Sequence, residues 1–208
     1  MARTKSSKQW LQRHVKDPYV RKARSEGYRS RAAYKLIEIN TRERFLVPGA
    51  RVVDLGAAPG GWSQVAAQKV APGGKIIAVD LLEIAPMSGV TVLRGDCREP
   101  GIQAQLVEAL GGQKADAVLS DLSPNISGIA SADQARAAEL VQMAMAYCRS
   151  QMKPGGSLLV KVFQGEEFAN LLQEMKRIFR EVRTIKPSAS REESRETYLL
   201  ARGLKGLQ

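Results

Sequence analysis

Cysteine and histidine are scarce in the 208-residue chain: Cys97, Cys148 and His14 are all it has. Three soft ligands cannot build a structural zinc site of four cysteines or of two cysteines and two histidines, and two cysteines make no disulfide framework. The one histidine lies in a polar N-terminal stretch, which disfavours hydrolases that rely on a histidine base inside the fold. Long apolar runs are also missing, since none approaches the ~18 residues of a membrane span. The basic start MARTKSSKQW has no apolar stretch behind it, which predicts no signal peptide and a cytoplasmic protein. Aromatics are few at 5%, yet an apolar fraction of 44% suffices for one core, so the length reads as one domain or one domain with an arm.

Positive charge, by contrast, is abundant and uneven. Lys and Arg number 32 against 21 Asp and Glu; residues 1–50 hold 13 basic and 4 acidic side chains, whereas residues 51–208 hold 19 and 17. A polycationic arm on a nearly neutral domain suits a polyanion, because neutralised phosphates release condensed counterions. A solubilising tail or an acidic membrane surface is the plainer reading. Trp10, Tyr19, Tyr28 and Tyr34, interleaved with the cations and able to stack on bases, favour nucleic acid.

The segment Ser30 to Phe45 opens on a serine fit to cap a helix and places Ala33, Leu36, Ile37 and Asn40 at helical spacing, which predicts a leading helix stopped by Pro48 and Gly49. Beyond it, β-rich runs at 51–55, 75–80, 90–96, 116–121, 157–163, 181–186 and 196–203 alternate with helical stretches at 62–70, 100–110, 132–151 and 166–180. Such alternation implies an α/β fold with a mostly parallel, doubly wound sheet of seven strands. The last two runs, joined only by residues 187–195, predict a hairpin and one antiparallel C-terminal strand. The division expected is a basic arm over 1–31 and a domain over 32–208, with the leading helix at 32–47.

A doubly wound sheet takes its ligand at the carboxyl ends of its strands. Asp54, Asp80, Asp96 and Asp121 stand at four of those ends, and Lys161 to Gln164 at a fifth. VDLGAAPGGW (53–62) reads as strand, glycine turn and helix start, but it is neither G-x-G-x-x-G nor a P-loop. Four carboxylates suit a cationic ligand better than a phosphate-rich one, and S-adenosylmethionine carries a sulfonium, an ammonium and a ribose that Asp80 can hold. Turn glycines and helix-capping aspartates would explain any one of these residues, but less readily all four. Here the sequence resembles Rossmann-like class I methyltransferases that use S-adenosylmethionine.

The stretch SDLSPNISG (120–128) has neither a Pro-Cys nucleophile nor an Asn/Asp-Pro-Pro-aromatic clamp, so carbon or base methylation has little support. The chain instead offers Lys35 in SRAAYKL, Asp121 in SDLSP, Lys161 in LLVKVFQG and Glu196 in SRETYLL, two lysines and two acids suited to a hydroxyl acceptor. With the arm and VDLGAAPGGW, these segments resemble the FtsJ/RrmJ family of RNA ribose 2′-O-methyltransferases over nearly the whole chain, closest to its bacterial members. The resemblance implies that Lys35, Asp121, Lys161 and Glu196 form the catalytic set. It also implies that Gly60, Trp62, Asp80, Asp96 and Asp121 bind S-adenosylmethionine, with Asp96 accepting from the adenine amino group. The implied substrate is a uridine of the A loop of 23S ribosomal RNA within the 50S subunit; a monomer is expected, and nothing in the sequence requires a metal.

Each residue has a plainer reading. An edge lysine is the plainer reading of Lys161, but LLVKVF reads as a central strand, where a charge needs a reason. Lys35 alone would be a solvated helix face, Glu196 an ion-pair partner of Arg191 or Arg195, Trp62 core packing and Asp96 a helix cap. A ribose hydroxyl is a poor nucleophile, and a lysine that is charged at neutral pH orients it and steadies its developing charge more readily than it takes its proton. Arg21, Lys22, Arg24, Arg29 and Arg31 are expected to hold RNA phosphates beside Lys35, so that removing Met1 to Arg31 weakens RNA binding and leaves the cofactor bound. Transfer RNA or cap substrates, a non-catalytic RNA-binding assembly factor and an NAD-type oxidoreductase are the alternatives. The last is disfavoured by the missing glycine fingerprint, the second by the intact set of four.

Overall fold

The structure, a computed structural model, describes residues 17–125 and 127–206. Trp10, His14 and the first part of the expected arm therefore lie outside the described residues. In chain order the elements are α1 (Pro18–Ser25), α2 (Ala32–Glu43), β1 (Arg51–Leu55), α3 (Gly61–Val70), β2 (Lys75–Asp80), β3 (Val90–Arg94), α4 (Pro100–Ala109) and β4 (Ala115–Ser120). They continue with α5 (Ala130–Gln151), β5 (Met152–Phe163), α6 (Phe168–Ile178), β6 (Phe179–Ile185) and β7 (Glu196–Leu204).

Side chains alternate across a strand, and here both faces are apolar. Val53, Leu55, Val118, Leu158 and Val160 pack on one side with α4, α5 and α6; Val52, Leu119, Leu159 and Leu200 pack on the other with α2 and α3. This double burial makes the strands near-continuous apolar runs and the molecule three layers deep. The strand order is β3-β2-β1-β4-β5-β7-β6. β1 pairs in parallel with both β2 and β4, and β4 with β5, whereas β7 runs antiparallel between β5 and β6. The chain thus winds outward from β1 to β3, then returns to the other side at β4, which opens a crevice at the carboxyl ends of β1 and β4.

The strand and helix expectations hold to within a few residues, and β7 is the antiparallel strand that the 187–195 connection foretells. Two expectations at the leading helix are corrected. Ser30 does not cap α2; Arg31 occupies that position and no side chain caps it. The helix also ends at Glu43, ahead of Pro48 and Gly49, with Arg44 in a left-handed conformation at φ 50°. Asn40 explains the stop: its carbonyl accepts from Arg44 N at 2.8 Å and its side-chain oxygen from Leu46 N at 2.9 Å, satisfying backbone groups where the helix is abandoned.

The described part of the arm is folded onto the domain. Asp17 caps α1 by accepting from Tyr19 N at 3.0 Å, and Val20 and Ala23 are buried. Tyr19 and Tyr28 pack their rings 5.5 and 5.6 Å from that of Tyr34. Tyr34 is itself buried, which corrects the expectation that it is available to stack on a base.

Candidate active site

Lys35, Asp121, Lys161 and Glu196, far apart in sequence, meet at the carboxyl edge of the sheet. Asp121 follows β4 directly, Lys161 lies near the end of β5, and Glu196 opens β7, whose antiparallel course brings its first residue to the same edge. Lys35 reaches over from α2. The Lys161 Nζ lies 2.9 Å from Asp121 Oδ1 and 3.9 Å from Glu196 Oε2, and it donates to Asp121 O at 2.9 Å and Ser123 Oγ at 2.8 Å. Lys35 Nζ donates to Glu196 Oε1 at 2.5 Å and to the Tyr198 hydroxyl at 3.1 Å. That hydroxyl lies 2.8 Å from Asp121 Oδ1 and 3.2 Å from Glu196 Oε1, so its one proton ties the two acids together.

Both lysines are only 8% exposed. Four charges so placed sum to zero, but an apolar set of the same volume would often be as stable, so stability does not account for them and a role at the crevice does. Burial opposes ionisation of Glu196, yet the charges of Lys35 and Lys161, with hydrogen bonds from Lys35 and Ser190, outweigh it and hold its carboxyl below the usual range. Burial, then the charges of Asp121 and Glu196, push the Tyr198 phenol well up, so it stays a neutral donor. The ammonium of Lys161 has three protons to give and three oxygens within 2.9 Å to receive them, which suits a donor rather than a base.

Sequence reasoning missed Tyr198, Ser123 and Ser190. Tyr198 had a readable signal: residues two apart share a strand face, so a catalytic Glu196 on β7 brings Tyr198 to the same face, directly opposite Lys161 in register. Ser123 and Ser190 lie on loops whose course no periodicity fixes.

Asp80, which ends β2, and Asp96, just after β3, line a neighbouring crevice. A cavity of about 100 Å³ is walled by Gly56, Asp80, Gly95, Asp96, Leu122 and Met143. Gly56 sits at φ 75°, and a Cβ there would fall 2.2 Å from the Leu122 side chain, so the turn after β1 needs glycine. Gly60 is at φ 108°, and a Cβ would meet Met87 at 2.4 Å. Asp80 is fixed by its own backbone surroundings, accepting from Ala58 N at 2.9 Å and Leu82 N at 2.8 Å, with its carboxylate facing the cavity wall. Asp96 does not cap α4, whose N-cap is Glu99; it accepts from Arg98 Nε at 2.9 Å, and that guanidinium holds its carboxyl below the usual range.

Asp54 is fully buried, receives Ser63 Oγ at 2.6 Å, and leaves Oδ1 without a partner. Burial, reinforced by Asp121 and Asp80, pushes it up to about 7. Asp80 and Asp96 on the cavity wall fit a cationic ligand better than a phosphate. Trp62, expected at the cofactor, has its ring in the core: it donates to Ala32 O at 2.8 Å and packs 5.6 Å from the Tyr198 ring. Burial and Asp96 push the Cys97 thiol up to about 11 and burial raises Cys148 further, which disfavours both as nucleophiles.

Of the five arm cations, two are engaged with other parts of the protein. Arg29 donates to Ala85 O at 2.5 Å, Pro86 O at 2.7 Å and Pro59 O at 3.3 Å, and its own N–H reaches Gln64 Oε1 at 2.8 Å. Arg31 pairs with Asp17 and donates to Ala189 O. Both tie the arm to the domain rather than standing ready for phosphates. Arg21, Lys22 and Arg24 on α1 are exposed, with Lys22 lying 4.8 Å over the Tyr34 ring.

Comparison with known proteins follows the same lines. The profile of the FtsJ-like methyltransferases matches residues 28–204. A ribosomal RNA large subunit methyltransferase E of Nitrosospira multiformis is 52% identical over 203 residues, covering 98% of each chain. That of Pseudomonas aeruginosa is 48% identical over 206 residues, covering 99% of this chain and all of its own. Among solved structures, a ribosomal RNA methyltransferase of Plasmodium falciparum superposes with a TM-score of 0.78 at 30% identity, covering 86% of this chain and 100% of that one. The fibrillarin of Aeropyrum pernix, solved with natively bound S-adenosyl-L-methionine, shares the fold at a TM-score of 0.57 and 19% identity, over 82% of this chain and 73% of its own.

Proposed function

The chain belongs to the FtsJ-like methyltransferase family, and from that membership we propose that it methylates the ribose 2′-hydroxyl of a uridine in the A loop of 23S ribosomal RNA, on the 50S subunit. S-Adenosylmethionine is its cofactor, and the relatives' names support ribosomal RNA as the acceptor. The observation that carries the 2′-hydroxyl reading is the buried Lys161, Asp121, Glu196, Lys35 and Tyr198 cluster, which offers donors and acceptors for a hydroxyl and no nucleophile for a base carbon.

The cofactor supplies a methyl group on a positively charged sulfur. In this reading Asp80 would receive the ribose hydroxyls and Asp96 the adenine amino group, and the carboxylate of Asp121 would favour positive charge nearby. Lys161, held by Asp121 and Glu196, donates to the acceptor oxygen and fixes its line of approach to the methyl carbon. In this reading the acceptor oxygen would take the methyl group, the cofactor would leave as the neutral thioether, and the hydroxyl proton would pass late to solvent. Lys35 and Tyr198 keep Glu196 and Asp121 in place, so the ammonium does not drift. The protein acts in this reading as a monomer in the cytoplasm, and the exposed cations of α1 hold RNA phosphates.

The test is transfer of labelled methyl from S-adenosylmethionine to 50S particles and to free 23S RNA, both from cells lacking the protein. A 2′-O-methyl group blocks alkaline cleavage, so the expected label survives in an alkali-resistant dinucleotide with uridine at its 5′ side. Label in a base, or none on either acceptor, contradicts the reading.

A further inference from the structure

A second cavity, of about 210 Å³, adjoins the lysine cluster through Ser123 and shares no lining residue with the cofactor crevice, and neither the sequence nor the family assignment gave it a role. Its wall includes Ser123, Gln134, Ala137, Phe163, Gln164 and Arg195. Ser123 is the link: the hydroxyl that borders this cavity is the one that receives a proton from Lys161 at 2.8 Å. Gln164 is tied to the other side of the cluster, because its N–H donates at 2.9 Å to the carbonyl of Arg195, the residue before Glu196. The cavity therefore opens beside the position that a reacting hydroxyl must occupy.

We propose that this cavity holds the nucleobase of the methyl-acceptor nucleotide, unstacked from its RNA, with Phe163 as the aromatic face and the amides of Gln134 and Gln164 at the base's edge. The inference rests on the 2′-hydroxyl reading above. A base is attached to the ribose carbon next to the one carrying the 2′-oxygen, so once that oxygen sits at Lys161 the base has only a short distance in which to lie. Phe163 is the one aromatic among the lining residues, and single-stranded RNA is bound by stacking on such rings. Side-chain amides carry both a donor and an acceptor, as a base edge requires. Gln134 is held in position by the bare backbone of Gly165, where a Cβ would come within 2.9 Å of its amide. The Ser123 hydroxyl then marks the place of the 2′-oxygen, which displaces it from Lys161 on binding.

The experiment compares wild type with Phe163→Leu, Phe163→Tyr and Gly165→Ala in methyl transfer to 50S particles from cells lacking the protein, alongside S-adenosylmethionine affinity by calorimetry. Phe163→Leu should lower kcat/KM for the particle about tenfold or more, the usual weight of one stacked base. Phe163→Tyr, which keeps the ring, should restore most of it, and Gly165→Ala, which displaces Gln134, should cost several-fold, all with cofactor affinity unchanged. Photocrosslinking from 4-thiouridine at the methylated position gives an independent check and should mark residues of this cavity. Wild-type kcat/KM in both Phe163→Leu and Gly165→Ala, with crosslinks elsewhere, overturns the base site while leaving the 2′-hydroxyl reading intact. Wild-type protein that places no label in a 2′-O-methyl nucleotide overturns both.

Discussion

Tyr198 shows how a side chain overlooked in the sequence can organise a site. Its hydroxyl contacts Lys35, Asp121 and Glu196 in the buried cluster. Tyr198→Phe leaves these groups short of a partner; the expected result is about 1–3 kcal/mol of lost stability in urea unfolding and a several-fold slower transfer. Asp54 provides a pH-dependent counterpart. Its folded value of about 7 lies above the ordinary 3.8. A carboxyl raised on folding contributes stability that is complete below the lower value and lost as pH rises through the higher one. Asp54→Asn, which can still accept from Ser63, should therefore gain thermal stability relative to wild type as pH goes from 4 to 8, read as a widening difference in Tm. An unchanging difference across that range would show that Asp54 ionises normally. The four charged members of the cluster were readable because each sits in a distinctive short segment. Tyr198 was harder to single out, because packing adequately explains a tyrosine in a β-rich run even where it shares a strand face with Glu196.

Helices and loops carry the clearest departure from expectation. The sequence suggested that an arm ending at Arg31 could be removed without touching the cofactor site, since its charge sets it apart from the domain. Arg29 spans that division, gripping Pro59 beside the glycine turn and Ala85 and Pro86 in the loop after β2. Deleting 1–16 should leave S-adenosylmethionine affinity unchanged, whereas deleting 1–31, or making Arg29→Ala, should weaken it about tenfold by calorimetry, since hydrogen bonds from one charged group tie the glycine turn to the loop after β2. Equal affinity in all three would mean that the glycine turn holds its shape unaided. Charge composition hid this contact because an arginine that ties loops together and one that awaits a phosphate look alike in sequence. Strands, in contrast, were largely legible because the central runs are apolar on both faces, although β5 begins at Met152 rather than at the expected 157. The end of α2 was not, because Asn40 stops it through a side-chain contact with Leu46 that no turn signal announces.

Across the molecule, the excess charge sits in the N-terminal quarter while the cofactor crevice is acidic, so the two ligands of opposite character are directed to different places. RNA affinity should fall steeply with salt while S-adenosylmethionine affinity barely changes. Neutralising Lys22 and Arg24 together, both exposed on α1, should flatten the salt slope at about 0.7 per cation for single-stranded contacts. The topology was predictable because alternating strands and helices admit few arrangements, and the antiparallel β7 follows from a connection too short for a crossover. What the alternation could not give was distance, and the chemistry depends on distance: Lys161 is a candidate by its place in a central strand, but only the fold sets its ammonium 2.9 Å from Asp121 and 2.8 Å from Ser123. The most direct test is a single-turnover measurement of methyl transfer to 50S particles by Lys161→Ala, with S-adenosylmethionine affinity measured on the same protein. A rate lower by about 10²-fold or more, the usual weight of one oriented donor at a reacting oxygen, with the cofactor bound as in wild type, is the predicted result. Transfer at the wild-type rate would contradict it.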